Sequence, residues 1–177
     1  MSELRALYGG SAKTLYNKVK FASQLGLIDW IPNSESVALS ELGKDYIDRR
    51  DPRLPLRLSE RQIGLLRDLV AKNPLKSAVL SGIASVVEAT YKLAANSYPV
   101  NLEKLIQFFP DFVGKNLEWQ TAKARYNATR MYANYATDLG LLAKSESALY
   151  ITPMGYRFVT QLQLHKGIAM ISIMGVE

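Results

Sequence analysis

The heptapeptide "SAKTLYN" beginning at Ser11 returns as "TAKARYN" beginning at Thr121, and this repetition constrains the chain more than any other feature. Ala, Lys, Tyr and Asn stand at matched positions, Ser exchanges with Thr, and an Ala-x-x-Leu-Gly-Leu run follows each copy. The fold must therefore accommodate one local unit twice. As a helix over Ser11 to Leu25, the first copy has Ser11 as N-cap after Gly9-Gly10, and Ala12, Leu15, Val19 and Ala22 recur as an inward stripe. Lys13, Tyr16, Asn17 and Lys20 share the opposite face at helical spacing, and the same offsets in the second copy select Lys123, Tyr126, Asn127 and Arg130. The inward faces agree less well. Leu15 corresponds to Arg125 and Val19 to Thr129, so the second helix, expected over Leu117 to Asp138, should bury Ala128, Met131, Tyr135 and Leu139 instead. Four further residues before Leu139 add about one turn at ~3.6 residues per turn.

The segment after each helix is also shared. The first copy continues "LGLIDWIPNSESVALSELGKDYI" and the second "LGLLAKSESALYITPMGYRFV". In both, Gly ends the helix in a left-handed cap, a short apolar strand leads to a Ser-Glu-Ser tip, and a second strand leads into a new helix. Ser40 and Thr152 are the expected N-caps of that helix, Pro153 fits its first position, and Gly43 and Gly155 stand at matching places inside it.

Helix, Leu-Gly-Leu, hairpin, Ser/Thr cap and Gly-x-x-aromatic, in that order and twice, resemble the winged-helix superfamily of helix-turn-helix proteins. The resemblance covers residues 1 to about 50 and about 98 to 165. It implies a mainly α fold with small β-hairpin wings, in which "SELRALYGG" and "NLEKLIQFFPDF" precede the two recognition helices. A three-helix unit needs one more helix in front. The second copy can take "NPLKSAVLSGIASVVEATYKLAAN", with Asn73 as N-cap and Pro74 in the first turn. The first has no room for one before Met1, so "LSERQIGLLRDLVAK" packs back to fill that place, a second chain does, or the chain derives from a longer protein. The expected organisation is a first winged-helix unit over 1–50, a basic connector and helical strut over 51–97, and a second unit with a C-terminal tail over 98–177.

Charge bears on the partner. The formal net charge is +6, and positive residues concentrate in the repeated segments. Ser11 to Leu25 holds three lysines and no acid, and Thr121 to Thr137 holds Lys123, Arg125 and Arg130, again without an acid, which suits a polyanion. A recognition helix in the major groove reads adenine through Asn and guanine or phosphate through Lys and Arg. Asn17 and Asn127 are therefore the expected base readers. Lys13, Lys20, Lys123 and Arg130 flank them, Tyr16 and Tyr126 offer a hydroxyl and a ring, and Ser11 and Thr121 stand at the helix starts. Ser34, Ser36, Lys144, Ser145 and Ser147 fall on the wings. Between the copies, Arg49, Arg50, Arg53 and Arg57 with Pro52 and Pro55 suggest an extended basic connector, whose Arg53 and Arg57 could follow a phosphate backbone; Ser59 with Gln62 forms a capping box.

Other chemistry has little support. Without cysteine there is no disulfide or thiolate metal site, and the lone His165 is expected as a partly buried helix residue. No phosphate loop, nucleophile elbow or metal-ligand cluster occurs, and Glu41, Asp45 and Asp48 fall on solvated helix faces, so neither catalysis nor a cofactor is expected. The apolar stretches near Glu88 and at "GIAMISIMGV" fail as membrane spans, and the N-terminus lacks signal-peptide order, so a cytoplasmic protein with no membrane partner is expected. The primary expectation is a sequence-specific double-stranded DNA-binding module. Its order of elements resembles the target-recognition regions of some restriction endonucleases. Two alternatives stand: a transcriptional or replication regulator that binds DNA as a homodimer, and a tandem winged-helix protein-interaction adaptor.

Overall fold

In the computed structural model, residues 11–30, 36–54 and 57–175 are described. Among them the chain is mainly helical, with two small antiparallel sheets. Helix α1 spans Ala12–Gln24 and is followed by strands β1 (Ile28–Trp30) and β2 (Val37–Leu39) and helix α2 (Glu41–Asp48). Two helices come next, α3 (Glu60–Lys72) and α4 (Ala78–Ala94), then strand β3 (Val100–Asn101) and helix α5 (Leu102–Phe112). Helix α6 (Ala122–Asp138), strands β4 (Leu142–Ser145) and β5 (Ala148–Ile151), and helix α7 (Pro153–Met174) complete the chain.

The repeated words build the same object to the level of single hydrogen bonds. Ser11 and Thr121 cap α1 and α6 by accepting from the backbone N–H of Thr14 and Ala124. Each helix ends at a glycine in the left-handed region, Gly26 at φ 71° and Gly140 at φ 68°. The next backbone N–H reaches back to the helix in both, from Leu27 to Ala22 O at 3.0 Å and from Leu141 to Ala136 O at 2.9 Å. The hydroxyls of Ser40 and Thr152 donate to the carbonyls of Gly26 and Gly140 at 2.6 and 2.7 Å. These same hydroxyls accept from the N–H of Gly43 and Gly155, both at 2.9 Å, and so cap α2 and α7. One hydroxyl thus ties the start of each following helix to the turn that ends the preceding one.

The two sheets differ in size. In the first, β1 and β2 pair alone with Ile28 opposite Leu39 and Trp30 opposite Val37. In the second, β5 lies between β3 and β4, with Leu149 opposite both Val100 and Lys144. Glu146, at φ 52°, makes the tight turn from β4 to β5. The tip of the first hairpin, with Ser34 and Glu35, lies outside the described residues, as do "SELRALYGG" and Pro55.

Helix α4 runs through the centre and touches α1, α3, α5, α6 and α7. Ten of its residues are buried, among them Leu80, Val86, Val87 and Glu88. At Gly82 a Cβ would lie 2.1 Å from Tyr132 Cε1, so the missing side chain is what lets the α6 ring lie against α4. Glu88 accepts from Gln163 Nε2 and Lys166 Nζ, both at 2.6 Å, and thereby fixes α7 against α4 with a paired buried carboxylate. Helix α3 begins with the expected capping box, Gln62 N to Ser59 Oγ at 3.1 Å and Ser59 N to Gln62 Oε1 at 3.0 Å. It packs back on α2, because Ser59 Oγ donates to Arg49 O and Gln62 Nε2 donates to Tyr46 O.

Several expectations are corrected. Asn73 is the C-cap of α3 rather than the N-cap of α4; Ser77 takes that place, accepting from Leu80 N at 3.3 Å after a turn through Pro74. Helix α6 starts at Ala122, not Leu117, because the backbone from Lys115 to Trp119 forms its own turn and Thr121 caps the helix after it. Its buried stripe is Thr129, Tyr132, Ala133 and Ala136, with Leu139 buried just beyond the helix; Met131 is exposed and Ala128 and Tyr135 are half-buried. In α1 only Leu15 and Val19 are buried, whereas Ala12 is exposed and Ala22 half-buried. The connector is not extended at Asp51 to Leu54, where Leu54 N bonds Asp51 O at 3.0 Å in a turn. His165 lies on α7 as an exposed residue rather than a partly buried one. None of the described helices is long and apolar enough to cross a membrane.

Candidate nucleic-acid interface

The matched faces of α1 and α6 are the candidate surface. Burial of Leu15 and Val19 on α1 turns Lys13, Tyr16, Asn17 and Lys20 to solvent, and all four are exposed. Burial of Thr129 and Tyr132 turns Lys123, Asn127 and Arg130 outward in the same way, while Tyr126 is half-buried against the core. Among the described residues, Lys13, Lys20 and Lys123 have no carboxylate within ion-pair distance, and the Asn17 and Asn127 carboxamides make no hydrogen bond. Their donors and acceptors face water, free for exchange with another polar partner.

The tyrosines are held differently in the two copies. Tyr16 stands edge-on to Trp30 of β1, ring centroids 5.3 Å apart, so the hairpin props the α1 face. Tyr126 instead accepts a hydrogen bond from Arg130 Nη1 at 2.8 Å, with the guanidinium 5.7 Å from the ring centre. This contact orders Arg130 one turn beyond Asn127. Arg125, the counterpart of Leu15, turns back to donate from Nε to Trp119 O at 2.9 Å and serves the turn before α6.

Ser11 and Thr121 are placed at the starts of these faces, with their hydroxyls engaged as caps. Lys144 is exposed on β4, near the acidic tip residue Glu146. The connector arginines are elsewhere: Arg53 holds Asp51 through Nε at 3.0 Å and Nη2 at 2.9 Å, and Arg49 holds Asp45 at 2.7 and 3.0 Å. Arg53 lines a separate concavity with Arg49, Arg50 and Arg61, and Arg57 is exposed beyond it. The contacts thus group the residues of α1 and α6 but leave Arg53 and Arg57 apart.

The helices themselves meet. Phe21 of α1 and Tyr135 of α6 have ring centroids 4.9 Å apart. Asn17 lies about 6 Å along its axis from that contact and Asn127 about 12 Å along its own, at ~1.5 Å per residue. The two asparagines are therefore separated by less than one turn of B-form DNA, ~34 Å. Asn134 joins this surface without having been expected there. It is exposed and shares a shallow concavity with Asn127, Arg130, Met131 and Tyr135, and its spacing of two turns from Asn127 is the signal in the sequence that could have found it.

No known family matches the chain, nor does any curated protein or any solved structure.

Proposed function

We propose that this chain is a double-stranded DNA-binding module made of two winged-helix units, 1–50 and 98–177, with 51–97 as connector and strut. Helix α4, whose largest contacts are with α6 and α5, serves as the leading helix of the second unit. Helices α1 and α6 are the recognition helices. The observation that carries this reading is the pair of matched, acid-free faces, exposed except at the half-buried Tyr126, each presenting Lys, Tyr, Asn and a second cation from a helix seated by the same hydrogen bonds.

A helix fits the major groove, and there Asn17 and Asn127 read adenine through paired hydrogen bonds to its N6 and N7. Lys13, Lys20, Lys123 and Arg130 contact phosphate or guanine, while Tyr16 and Tyr126 pack on sugar and phosphate. The Phe21–Tyr135 contact keeps both helices close enough to serve adjoining sites on one duplex. We assign the module to target recognition in a restriction or related defence system of the cytoplasm, with any cutting done by another domain or protein.

A regulator that dimerises on its operator is the second reading, favoured by the exposed apolar residues Leu164, Ile168 and Ile171 at helical spacing on the outer half of α7. Selection from a randomised duplex pool at low and moderate salt tests both. An enriched motif, with retention that falls steeply as salt rises, is expected because each phosphate contact releases counterions. A single two-part motif supports the monomeric reader and an inverted repeat the dimer, while no retention at low salt overturns both and leaves the adaptor.

A further inference from the structure

A cavity of about 370 Å³ lies where α1, α3, α4 and α6 converge. That size is within the ~300–1,000 Å³ of small-molecule sites. Its walls are apolar: Phe21 and Leu27 come from the first copy of the repeat, Leu66 from α3, and Tyr135 from α6. Among the described residues Asp138 is the only charged one that lines it, and its exposure places it at the mouth.

Asp138 is placed against the usual electrostatics. It is the last residue of α6, where the helix dipole presents partial negative charge and favours a cation. Among the described residues no Lys, Arg or His lies within ion-pair distance of it. Tyr46 and Tyr135 belong to the same lining, and their hydroxyls make no hydrogen bond among the described residues. Burial raises the pKa of both phenols, and the nearby Asp138 charge adds to this at Tyr135, so both keep their protons at neutral pH. The site thus combines an apolar chamber for a ring system with an unpaired anion at its mouth.

We propose that this cavity binds a lipophilic amine of roughly bicyclic size, its ring system among Phe21, Leu27, Leu66 and Tyr135 and its ammonium group at Asp138. The chamber excludes strongly hydrated ligands, because nothing in most of its wall can replace their water. The negative mouth selects a cation over an anion of the same shape. This inference rests on the cavity alone and does not depend on DNA binding.

The test is calorimetric titration of the full chain with 1-naphthylmethylamine and, in parallel, with 1-naphthoic acid. Saturable one-to-one binding of the amine is expected, with little or none of the acid. Asp138→Asn, a change at an exposed position, should weaken the amine by up to about fivefold, the range of a partly exposed ion pair. Ala22→Phe, which places a ring into the chamber, should abolish binding, provided that circular dichroism shows the variant folded. Absence of saturable amine binding, equal affinity for amine and acid, or affinity unchanged by Asp138→Asn would each overturn the proposal.

Discussion

Val19 and Thr129 occupy the same place in the two copies, both buried on the inner side of their helix, but the Thr129 hydroxyl oxygen is enclosed with no hydrogen-bond partner among the described residues. A buried hydroxyl without a partner forfeits the water it leaves behind, at a cost of about 1–3 kcal/mol. The first copy avoids this cost with a methyl group of similar shape. Thr129→Val should therefore stabilise the protein by about 1 kcal/mol, read as a higher urea midpoint at unchanged slope. An unchanged or lower midpoint would show that the hydroxyl has a partner in solution.

At Gly43 and Gly155 it is the backbone that leaves no room for a side chain. A Cβ at Gly43 would stand 1.9 Å from Leu27 O, and one at Gly155 would stand 2.1 Å from Leu141 O; both obstacles are backbone atoms of the turn that the capping hydroxyl holds in place. Alanine at either position must push α2 or α7 off its turn, at a cost of about 3 kcal/mol. Gly64, inside α3, has no atom of the described residues within 4 Å of its missing Cβ apart from its chain neighbours and its own helix backbone, so Gly64→Ala should stabilise by up to about 1 kcal/mol through helix propensity. Thermal melts of the three variants check the contrast, which fails if Gly64→Ala and Gly155→Ala shift the midpoint alike.

Acid should remove a specific support from α2. Asp45 has its carboxyl held below the ordinary value by the hydrogen bonds from Arg49 and, less, by the charges of Arg49 and Arg61. A depressed folded-state value means that the stabilisation is complete above the unfolded carboxylate range and is lost as pH falls through the folded value. Asp45→Asn should thus be less stable than the parent at pH 6 and approach it near pH 2. Parallel urea curves at the two pH values decide, and a gap that stays constant would assign the effect to something other than this charge.

Legibility in the sequence tracks the range of the interactions concerned. The caps at Ser11, Ser40, Thr121 and Thr152, the turns at Gly26 and Gly140, and the matching places of Gly43 and Gly155 are local, and each is legible from residue type and spacing, whereas the tightness of the two glycine seats is not. The buried stripe of α6 is not, because its choice is made by α4: Gly82 admits the Tyr132 ring, and that sets the helix rotation that buries Thr129 and exposes Met131. The start of α4 is ambiguous in the sequence because Asn73-Pro74 carries a helix-start signal as strong as that of Ser77. At the site, the Lys-Tyr-Asn face follows from helical spacing alone. The fold of Arg130 onto Tyr126, the capture of Arg53 by Asp51, and the Phe21–Tyr135 contact depend on neighbours that no periodicity reveals.

The two kinds of contact on the proposed recognition helices should separate by mutation. Asn17 and Asn127 are exposed and make no hydrogen bond among the described residues, so their removal leaves the fold intact and affects only what they read. Asn17→Ala or Asn127→Ala should reduce discrimination at one half of the motif by about 1–3 kcal/mol while nonspecific affinity stays near the parent value. Lys123→Ala should weaken binding to all duplexes alike and lower the slope of log affinity against log salt by about one. Tyr126→Phe deletes the hydroxyl that restrains Arg130 and should act at the Asn127 half alone. Fluorescence anisotropy on the selected motif, on each half-mutated motif and on a scrambled duplex measures all three effects. Equal losses on every duplex from the asparagine variants would remove the base-reading role and leave α1 and α6 as phosphate-contacting helices.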